Sequence, residues 1–204
     1  MTTIKFIGLP GCGKTSIINL LKTKIDISLE SNITLPCVDL YHMYTNPKQN
    51  TTLYHLKLLE EFKKSYNERK QSTYSYYIEH TPFEMFEFFC LANVVAGNIT
   101  EYGYRYLKEK SFPIKLRQMI DNEQEKCIYI YINATPETCI KNMKERNRDG
   151  EFNMNPIIFF QVYWFIILHM ENNFKNKFVV DYEENNFHTE SILNFLQNNV
   201  KVIW

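Results

Sequence analysis

The sequence predicts an α/β domain whose parallel sheet is covered by helices on both faces. Short runs of β-branched and aromatic residues alternate along the chain with longer segments in which apolar residues recur at helical spacing. The first such run, TTIKFIG, passes through a glycine-rich stretch into a helical pattern. Strands that alternate with helices favour a parallel sheet with both faces buried. No low-complexity tract or linker divides the 204 residues, so we expect a single domain, 1–204.

The first half of the chain carries three predicted strands and three predicted helices. After TTIKFIG, the segment KTSIINLLKTKI has its apolar residues at helical spacing. A second strand is expected in NITLPCV and a third in TYSYYIE, with the helix LYHLKLLEEFKKSY between them. PFEMFEFFCLANVVAG opens with a proline and closes at Gly97, which is the usual punctuation of a helix.

The second half adds two strands and four helical segments. Residues 100–121 are expected to be helical with a break near Pro113. KCIYIYIN is the clearest strand of the chain, and TPETCIKNMKERNR follows it as a helix with Thr135 as N-cap. The apolar helix PIIFFQVYWFIILHM, the strand KFVVDY and a last helix at about 189–199 complete the order. The prediction is therefore a five-stranded sheet.

Composition excludes several classes of function. The formal net charge is zero and the pI is about 7.0, so neither a nucleic-acid surface nor a basic membrane anchor is expected. PIIFFQVYWFIILHM is shorter than the roughly 20 residues that a spanning helix needs, and we interpret it as a helix buried on two sides. Five scattered cysteines without a C-x-x-C pair indicate reduced thiols. With no secretory signal in view, these features favour an intracellular, cytoplasmic protein.

The stretch GLPGCGKT fits the phosphate-loop pattern G-x-x-x-x-G-K-[ST]. Its glycines allow a tight turn in which backbone N–H groups converge on phosphate oxygens at a helix N-terminus. The lysine is expected to bridge the outer phosphates, and the threonine hydroxyl is expected to bind Mg²⁺. The predicted phosphate-binding residues are Gly8, Gly11, Cys12, Gly13, Lys14, Thr15 and Ser16.

Two further segments join the phosphate loop in a combination that resembles the deoxynucleoside kinase family. YIEHTPFEMFEFF places Glu79 at the end of a predicted strand, and ERNRDGE supplies Arg146, Arg148 and Glu151 in the spacing R-x-R-x-x-E. The family contains deoxycytidine, deoxyguanosine and mitochondrial thymidine kinases. The resemblance spans nearly the whole chain, and IYINATPETC…ERNRDGE is its most specific part. It implies a P-loop kinase fold with a short lid at about 146–155, ATP or another triphosphate as donor, and Mg²⁺.

On the donor side, the resemblance implies that Glu79 supports the Mg²⁺ complex, so that the predicted metal ligands are Thr15 and Glu79. It also implies that Arg146 and Arg148 are lid arginines, which clamp phosphates and neutralise charge on the transferred group. Simpler interpretations stay open. Glu79 fits an ordinary acid at a strand end, and the arginines fit the solvated C-terminus of a helix, where cations are favoured.

On the acceptor side, the resemblance assigns the sugar 3′-hydroxyl to Glu151 and Tyr44. It places His55 where the family carries a glutamine that reads the base, and a neutral histidine offers one donor and one acceptor for related work. Tyr44 is equally compatible with packing, and His55 with a residue of an amphipathic helix.

Two positions depart from the family pattern. Leu35, in LPC, stands where the family has the glutamate that acts as general base, and Asp39 is the nearby carboxylate that can replace it. Either Asp39 is the base or the base is lost. His80 stands in place of an arginine that binds near the 5′-hydroxyl, and histidine is a weaker, pH-dependent cation there.

The expected function is transfer of the γ-phosphoryl group of ATP to the 5′-hydroxyl of a deoxynucleoside, in nucleotide salvage. The alternatives are a catalytically silent nucleotide-binding relative and a thymidylate-like monophosphate kinase. The expected partner is a small-molecule deoxynucleoside, with no nucleic acid and no membrane. A homodimer is predicted through PFEMFEFFCLANVVAG and PIIFFQVYWFIILHM, since both are apolar on more than one face. Burial of these helices in the domain's own core is the alternative.

Overall fold

The computed structural model describes residues 2–25, 28–29, 37–69, 76–79, 82–124, 126–146, 155–173, 177–182 and 188–199. The strands are β1 (Thr2–Ile7), β2 (Ser28–Leu29), β3 (Tyr76–Glu79), β4 (Lys126–Asn133) and β5 (Lys177–Asp181). The helices are α1 (Lys14–Lys22), α2 (Cys37–Thr45), α3 (Pro47–Arg69), α4 (Phe83–Val95), α5 (Glu101–Gln124), α6 (Pro136–Arg146), α7 (Pro156–Asn173) and α8 (Thr189–Asn199).

The strands form one parallel sheet in the order β2-β3-β1-β4-β5. Four strands of four to eight residues make the body of the sheet, and β2 adds a two-residue edge. β1 lies at the centre, with Thr2 opposite Tyr76 on one side and Lys126 on the other. All six residues of β1 are buried, so both faces of the sheet are covered at its centre. The predicted α/β fold with a parallel sheet and helices is confirmed.

The second predicted strand is placed differently in the structure. NITLPCV was expected to be a strand, but Cys37 and Val38 already belong to α2, and the second strand is Ser28–Leu29. The remaining residues of that segment lie outside the described part of the chain. The β-branched composition favoured a strand, but β-propensity mainly reports packing, and tertiary context overrides it.

The expected break near Pro113 is absent, because α5 runs through Pro113 from Glu101 to Gln124. Pro113 is on the exposed side of the helix, where water can satisfy the backbone carbonyl that proline leaves without a donor. Leu107 and Ile114, on either side of it, are buried in a shared apolar cluster. That packing holds the helix together across the proline.

Two apolar clusters organise the domain. The larger one surrounds the sheet and takes side chains from β1, β4, α1, α4, α6, α7 and α8. The smaller one joins α3, α4 and α5, and its centre is aromatic. There, Phe83 and Phe86 stack with ring centroids 5.2 Å apart, and Phe62 meets Phe83 edge-on at 5.5 Å. The smaller cluster therefore fixes α3 against α4. No helix among the described residues is long and apolar enough to cross a membrane.

The central strand carries a lysine with no solvent exposure. Lys5 lies opposite Glu79 of β3 and Tyr129 of β4, so the three side chains share one face of the sheet. Its Nζ donates to Glu84 Oε1 at 3.0 Å and lies 3.7 Å from Glu79 Oε2. Tyr129 Oη donates to the same oxygen of Glu84 at 3.3 Å. This group ties the first turn of α4 to the middle of the sheet.

Both partners of the main ion pair are held in their charged forms. Burial opposes the charge on Lys5, but Glu84 and Glu79 outweigh it, so the pKa of Lys5 lies well above its usual value. Burial also disfavours the Glu84 carboxylate, yet the attraction of Lys5 prevails and lowers the pKa of Glu84. A buried pair of this kind becomes costly when one partner is removed.

Replacement of Lys5 is expected to destabilise the folded protein strongly for this reason. We expect Lys5→Met to reduce the free energy of unfolding by about 3–5 kcal/mol, because Glu84 is left buried without its cation. Urea denaturation at pH 7 measures the loss. The control is the double variant Lys5→Met/Glu84→Met, which removes both charges and should recover most of the stability. A single variant as stable as the unsubstituted protein would contradict this assignment.

Candidate active site

The loop between β1 and α1, residues 8–13, has the geometry of an anion site. α1 begins after Gly13, whose φ of 89° lies in the left-handed region that favours glycine. No side chain among the described residues caps the N-terminus of α1 with a hydrogen bond, and the first turn of this helix contains no acidic residue. Its N–H groups and its positive helix end therefore suit a phosphate group. Thr15 and Ser16 lie exposed in that first turn.

Lys14 folds back over the loop. Its Nζ donates to the carbonyl oxygens of Gly8 at 2.6 Å and Leu9 at 2.9 Å, and it lies 3.6 Å from the Sγ of Cys12. Cys12 itself is buried beneath the loop. The predicted phosphate-binding residues therefore lie together, with the lysine ammonium among them.

The other side of the loop packs against α6. A Cβ added to Gly11, whose φ is 86°, would overlap the carbonyl oxygen of Cys139. The Gly11 carbonyl accepts a hydrogen bond of 2.8 Å from Asn142 Nδ2. The motif leaves position 11 open to any residue, but this close approach of α6 restricts it to glycine.

Glu79 lies at the carboxyl end of β3, the strand next to β1. Glu79 is buried and is paired in register with Lys5 of β1. Lys5 precedes the first glycine of the phosphate loop, Gly8, by three residues. Thr15 and Glu79, the predicted metal ligands, carry a hydroxyl and a carboxylate, which are the kinds of oxygen donor that Mg²⁺ prefers. Among the described residues no three His, Cys, Asp or Glu side chains gather into a metal cage.

Arg146, the first predicted lid arginine, is the last residue of α6 and is exposed. It lies one helical turn beyond Asn142, on the face that meets the phosphate loop. Several of the other predicted residues fall outside the described part of the chain; these are Leu35, His80, Arg148 and Glu151. Asp39 lies in α2, and its side chain is likewise outside the described part.

A cleft opens between α2, α3, α4 and the start of α7. It is a shallow cleft with a cavity volume of about 70 Å³, and Tyr44 is the predicted acceptor residue that lines it. The other lining residues include Thr51, Phe89, Asn93, Asn98 and Asn155. Asn98 donates to Asn93 Oδ1 and Asn93 donates to the carbonyl of Phe89, each at 2.9 Å. Apolar walls with a few placed amides suit a small aromatic and polar molecule.

Sequence reasoning did not identify the asparagines and the phenylalanine of this cleft. One signal was available, because Asn93 interrupts the apolar stretch 88–96, and a buried amide there has to find partners. Asn98 and Asn155 lie in connecting segments. Asn155 accepts from the Ile157 N–H at the start of α7, and no local pattern marks either asparagine as part of a cleft.

His55 lies one turn after Thr51 on α3 and is only 1% exposed. Its Nδ1 is 2.8 Å from the carbonyl oxygen of Thr51. A carbonyl oxygen only accepts, so Nδ1 carries the hydrogen and Nε2 is left as an acceptor. Nε2 and the Thr51 hydroxyl are both buried without a hydrogen-bond partner among the described residues. Burial lowers the pKa of His55 to about 4, which keeps the ring neutral at pH 7.

The comparisons with known proteins agree with this geometry. No curated protein gives a significant match. Solved structures of deoxyadenosine kinase from M. mycoides are similar in fold. The structure with bound dATP superposes with a TM-score of 0.81 at 19% identity, over 97% of this chain and 100% of that chain.

Two further structures of the same enzyme match nearly as well. The one with bound dCTP gives a TM-score of 0.77 at 17% identity, and the one with products dCMP and a flexible dCDP gives 0.75 at 19%. Each covers 96% of this chain and 99% of that chain. A family model described as deoxynucleoside kinase matches residues 4–193. With the phosphate loop at its expected place in a parallel sheet, the chain belongs to the deoxynucleoside kinase family.

Proposed function

We propose that the protein transfers the γ-phosphoryl group of ATP to the 5′-hydroxyl of a deoxynucleoside, as a step of nucleotide salvage. The observation that carries the proposal is the phosphate loop, with Lys14 folded over it, in a chain that matches the family over residues 4–193. The fold places the loop and the end of β3 at the same carboxyl edge of the sheet, which is where open α/β sheets bind ligands.

The donor triphosphate is proposed to bind the N–H groups at the start of α1, with Lys14 leaving the loop carbonyls to contact the outer phosphates. Mg²⁺, held by Thr15 and Glu79, would neutralise charge on the phosphates. Arg146 and Arg148 would close over the transferred group, since phosphoryl transfer depends mainly on positioning and charge stabilisation.

The deoxynucleoside is proposed to bind in the cleft lined by Tyr44. Tyr44 and Glu151 would orient the sugar, His80 would lie near the 5′-hydroxyl, and Asp39 would take its proton. A hydroxyl held by paired polar groups is discriminated well, because those groups are left unpaired by a substrate that lacks it.

The base is proposed to carry an exocyclic amino group. The unpartnered atom of His55 is an acceptor, and His55 lies one helical turn from Thr51, which lines the cleft. The exocyclic amino groups of adenine and cytosine donate hydrogen bonds, whereas thymine presents a carbonyl at the same position. The solved structures that share the fold hold dATP, dCTP and dCMP, all of which have an amino group on the base.

A catalytically silent relative is the second candidate, and Leu35 and His80 are the observations in its favour. A thymidylate-like kinase fits less well. It would need cations for an acceptor phosphate, and the described residues that line the cleft include no lysine or arginine.

Phosphorylation of the four natural deoxynucleosides by the purified protein with Mg·ATP tests the proposal. We expect turnover of deoxyadenosine or deoxycytidine in preference to thymidine. Lys14→Ala should lower kcat by at least about 100-fold, as the loss of a group that stabilises transition-state charge does. Asp39→Asn should abolish turnover if Asp39 is the base. Binding of ATP without turnover of any deoxynucleoside would instead support the silent relative.

The protein is also proposed to be a homodimer. Ile157, Phe160, Trp164 and Leu168 lie along one stripe of α7 and are 39–59% exposed. Val95 of α4, which packs on α7, is 64% exposed. An apolar stripe of this length on a monomer is unusual, and a second copy would cover it.

Light scattering at micromolar concentration tests the dimer. We expect about twice the chain mass of 24.5 kDa, and we expect Trp164→Glu to weaken association by at least about 30-fold, as the loss of a central aromatic contact does. Tyr102→Glu is the control, because Tyr102 is exposed on α5, a helix that contributes no residue to the stripe. A single-chain mass for the unsubstituted protein would rule out the dimer.

The buried neutral His55 predicts a pH dependence of stability. Its pKa is about 4 in the folded protein against 6.5 ordinarily. The unfolded chain therefore takes up the proton first on acidification, and stability falls between pH 6.5 and 4. The difference amounts to about 3 kcal/mol. Urea titrations at several pH values in this range measure the free energy of unfolding. It should fall with decreasing pH for the unsubstituted protein and fall less for His55→Gln. Parallel curves would show that His55 is accessible to protons in the folded state.

A further inference from the structure

Asn142 connects three parts of the structure through one amide group. Its Nδ2 donates to the carbonyl of Gly11 at 2.8 Å and to Tyr182 Oη at 3.0 Å. An amide nitrogen has two hydrogens, so these two bonds use both of them and fix the orientation of the side chain. The phosphate loop, α6 and the residue that follows β5 are thereby joined.

The peptide between Gly11 and Cys12 is held at both ends. Its carbonyl accepts from Asn142, and its N–H donates to the carbonyl oxygen of Leu9 at 3.2 Å. Glycine at position 11 allows a wide range of backbone conformations, so the peptide needs outside contacts to keep one of them. A reversed peptide would lose both of these hydrogen bonds and change the conformation of the phosphate loop.

The same contact sets the rotation of α6 against the loop. Cys139 approaches Gly11 closely, Asn142 bonds to it, and Arg146 follows one turn later on that face. Tyr182, directly after β5, supports the arrangement. Its N–H donates to the carbonyl of Asn133 at 3.0 Å, and its ring lies 3.8 Å from the place of a Cβ on Gly13.

We propose that Asn142 is a positioning residue that couples the phosphate loop to α6, the helix that ends at Arg146. Its amide fixes the Gly11–Cys12 peptide and thereby the conformation of the phosphate loop, and the same bond fixes the rotation of α6 that directs Arg146 toward the loop. This inference rests on the proposed binding of a triphosphate at the loop. It does not depend on which acceptor is phosphorylated.

Titration with a fluorescent ATP analogue, with Mg²⁺ and without a nucleoside, tests the coupling. We expect Asn142→Asp, which keeps the shape but removes the donor, to weaken binding by at least about tenfold, the equivalent of one lost hydrogen bond. Asn142→Ala should weaken binding of the analogue by a similar factor. It replaces Asn142→Asp in the experiment if the aspartate variant folds poorly. Tyr182→Phe leaves the hydrogen bond between Asn142 and Gly11 in place, so it should lose less affinity for the analogue. Lys141→Ala, on the exposed side of α6, should bind as the unsubstituted protein does.

Steady-state kinetics separate positioning from general destabilisation. The KM for ATP should rise while the KM for the deoxynucleoside stays unchanged. Arg146→Ala should add little to the kcat defect of Asn142→Ala, because Arg146 is already misdirected in that variant. Tight binding of the ATP analogue by both Asn142 variants would overturn the inference, as would full additivity with Arg146→Ala. If the unsubstituted protein binds the analogue but phosphorylates no deoxynucleoside, the proposed function fails and the binding data still decide the role of Asn142.

Discussion

The buried ammonium of Lys5 is the constraint on which much of the structure depends. An unpaired charge at the centre of the sheet would be prohibitively costly, so carboxylates have to be brought to it. Glu84 meets this need only if α4 starts directly above the middle of the sheet, and Glu79 contributes only if β3 lies in register beside β1. Once α4 starts there, Phe89 and Asn93 lie on the wall of the cleft. The position of the candidate acceptor site thus follows from an electrostatic requirement of the core.

The two halves of the candidate site are built by different means. The donor side is made of backbone groups, and it is held by a glycine without room for a side chain and by the amide of Asn142. The proposed acceptor side is made of side chains from α2, α3 and α4, and the aromatic cluster of Phe62, Phe83 and Phe86 holds α3 against α4. Loss of aromatic packing should therefore affect the acceptor side first.

The parts of the site that sequence reasoning found are those with local patterns. The phosphate loop depends on glycine spacing over eight residues, and the order of strands and helices depends on short-range periodicity. Tyr44 and His55 were singled out by family resemblance and remain predictions in their roles. The missed residues act across long stretches of chain. Lys5 meets Glu84 at a separation of 79 residues, and Asn142 meets Gly11 at a separation of 131. No periodicity in the sequence reports such pairs.

The sequence by itself determined the α/β class, the phosphate loop and the approximate bounds of most elements, because each rests on residues close together in the chain. Only the tertiary structure decided that the segment after Cys37 is helical, that α5 continues through Pro113, and that position 11 must be glycine. It also decided which nitrogen of His55 is the acceptor, because the carbonyl of Thr51 imposes that choice. The reason is common to all four: each depends on what packs against the residue, and packing is settled only when distant segments meet.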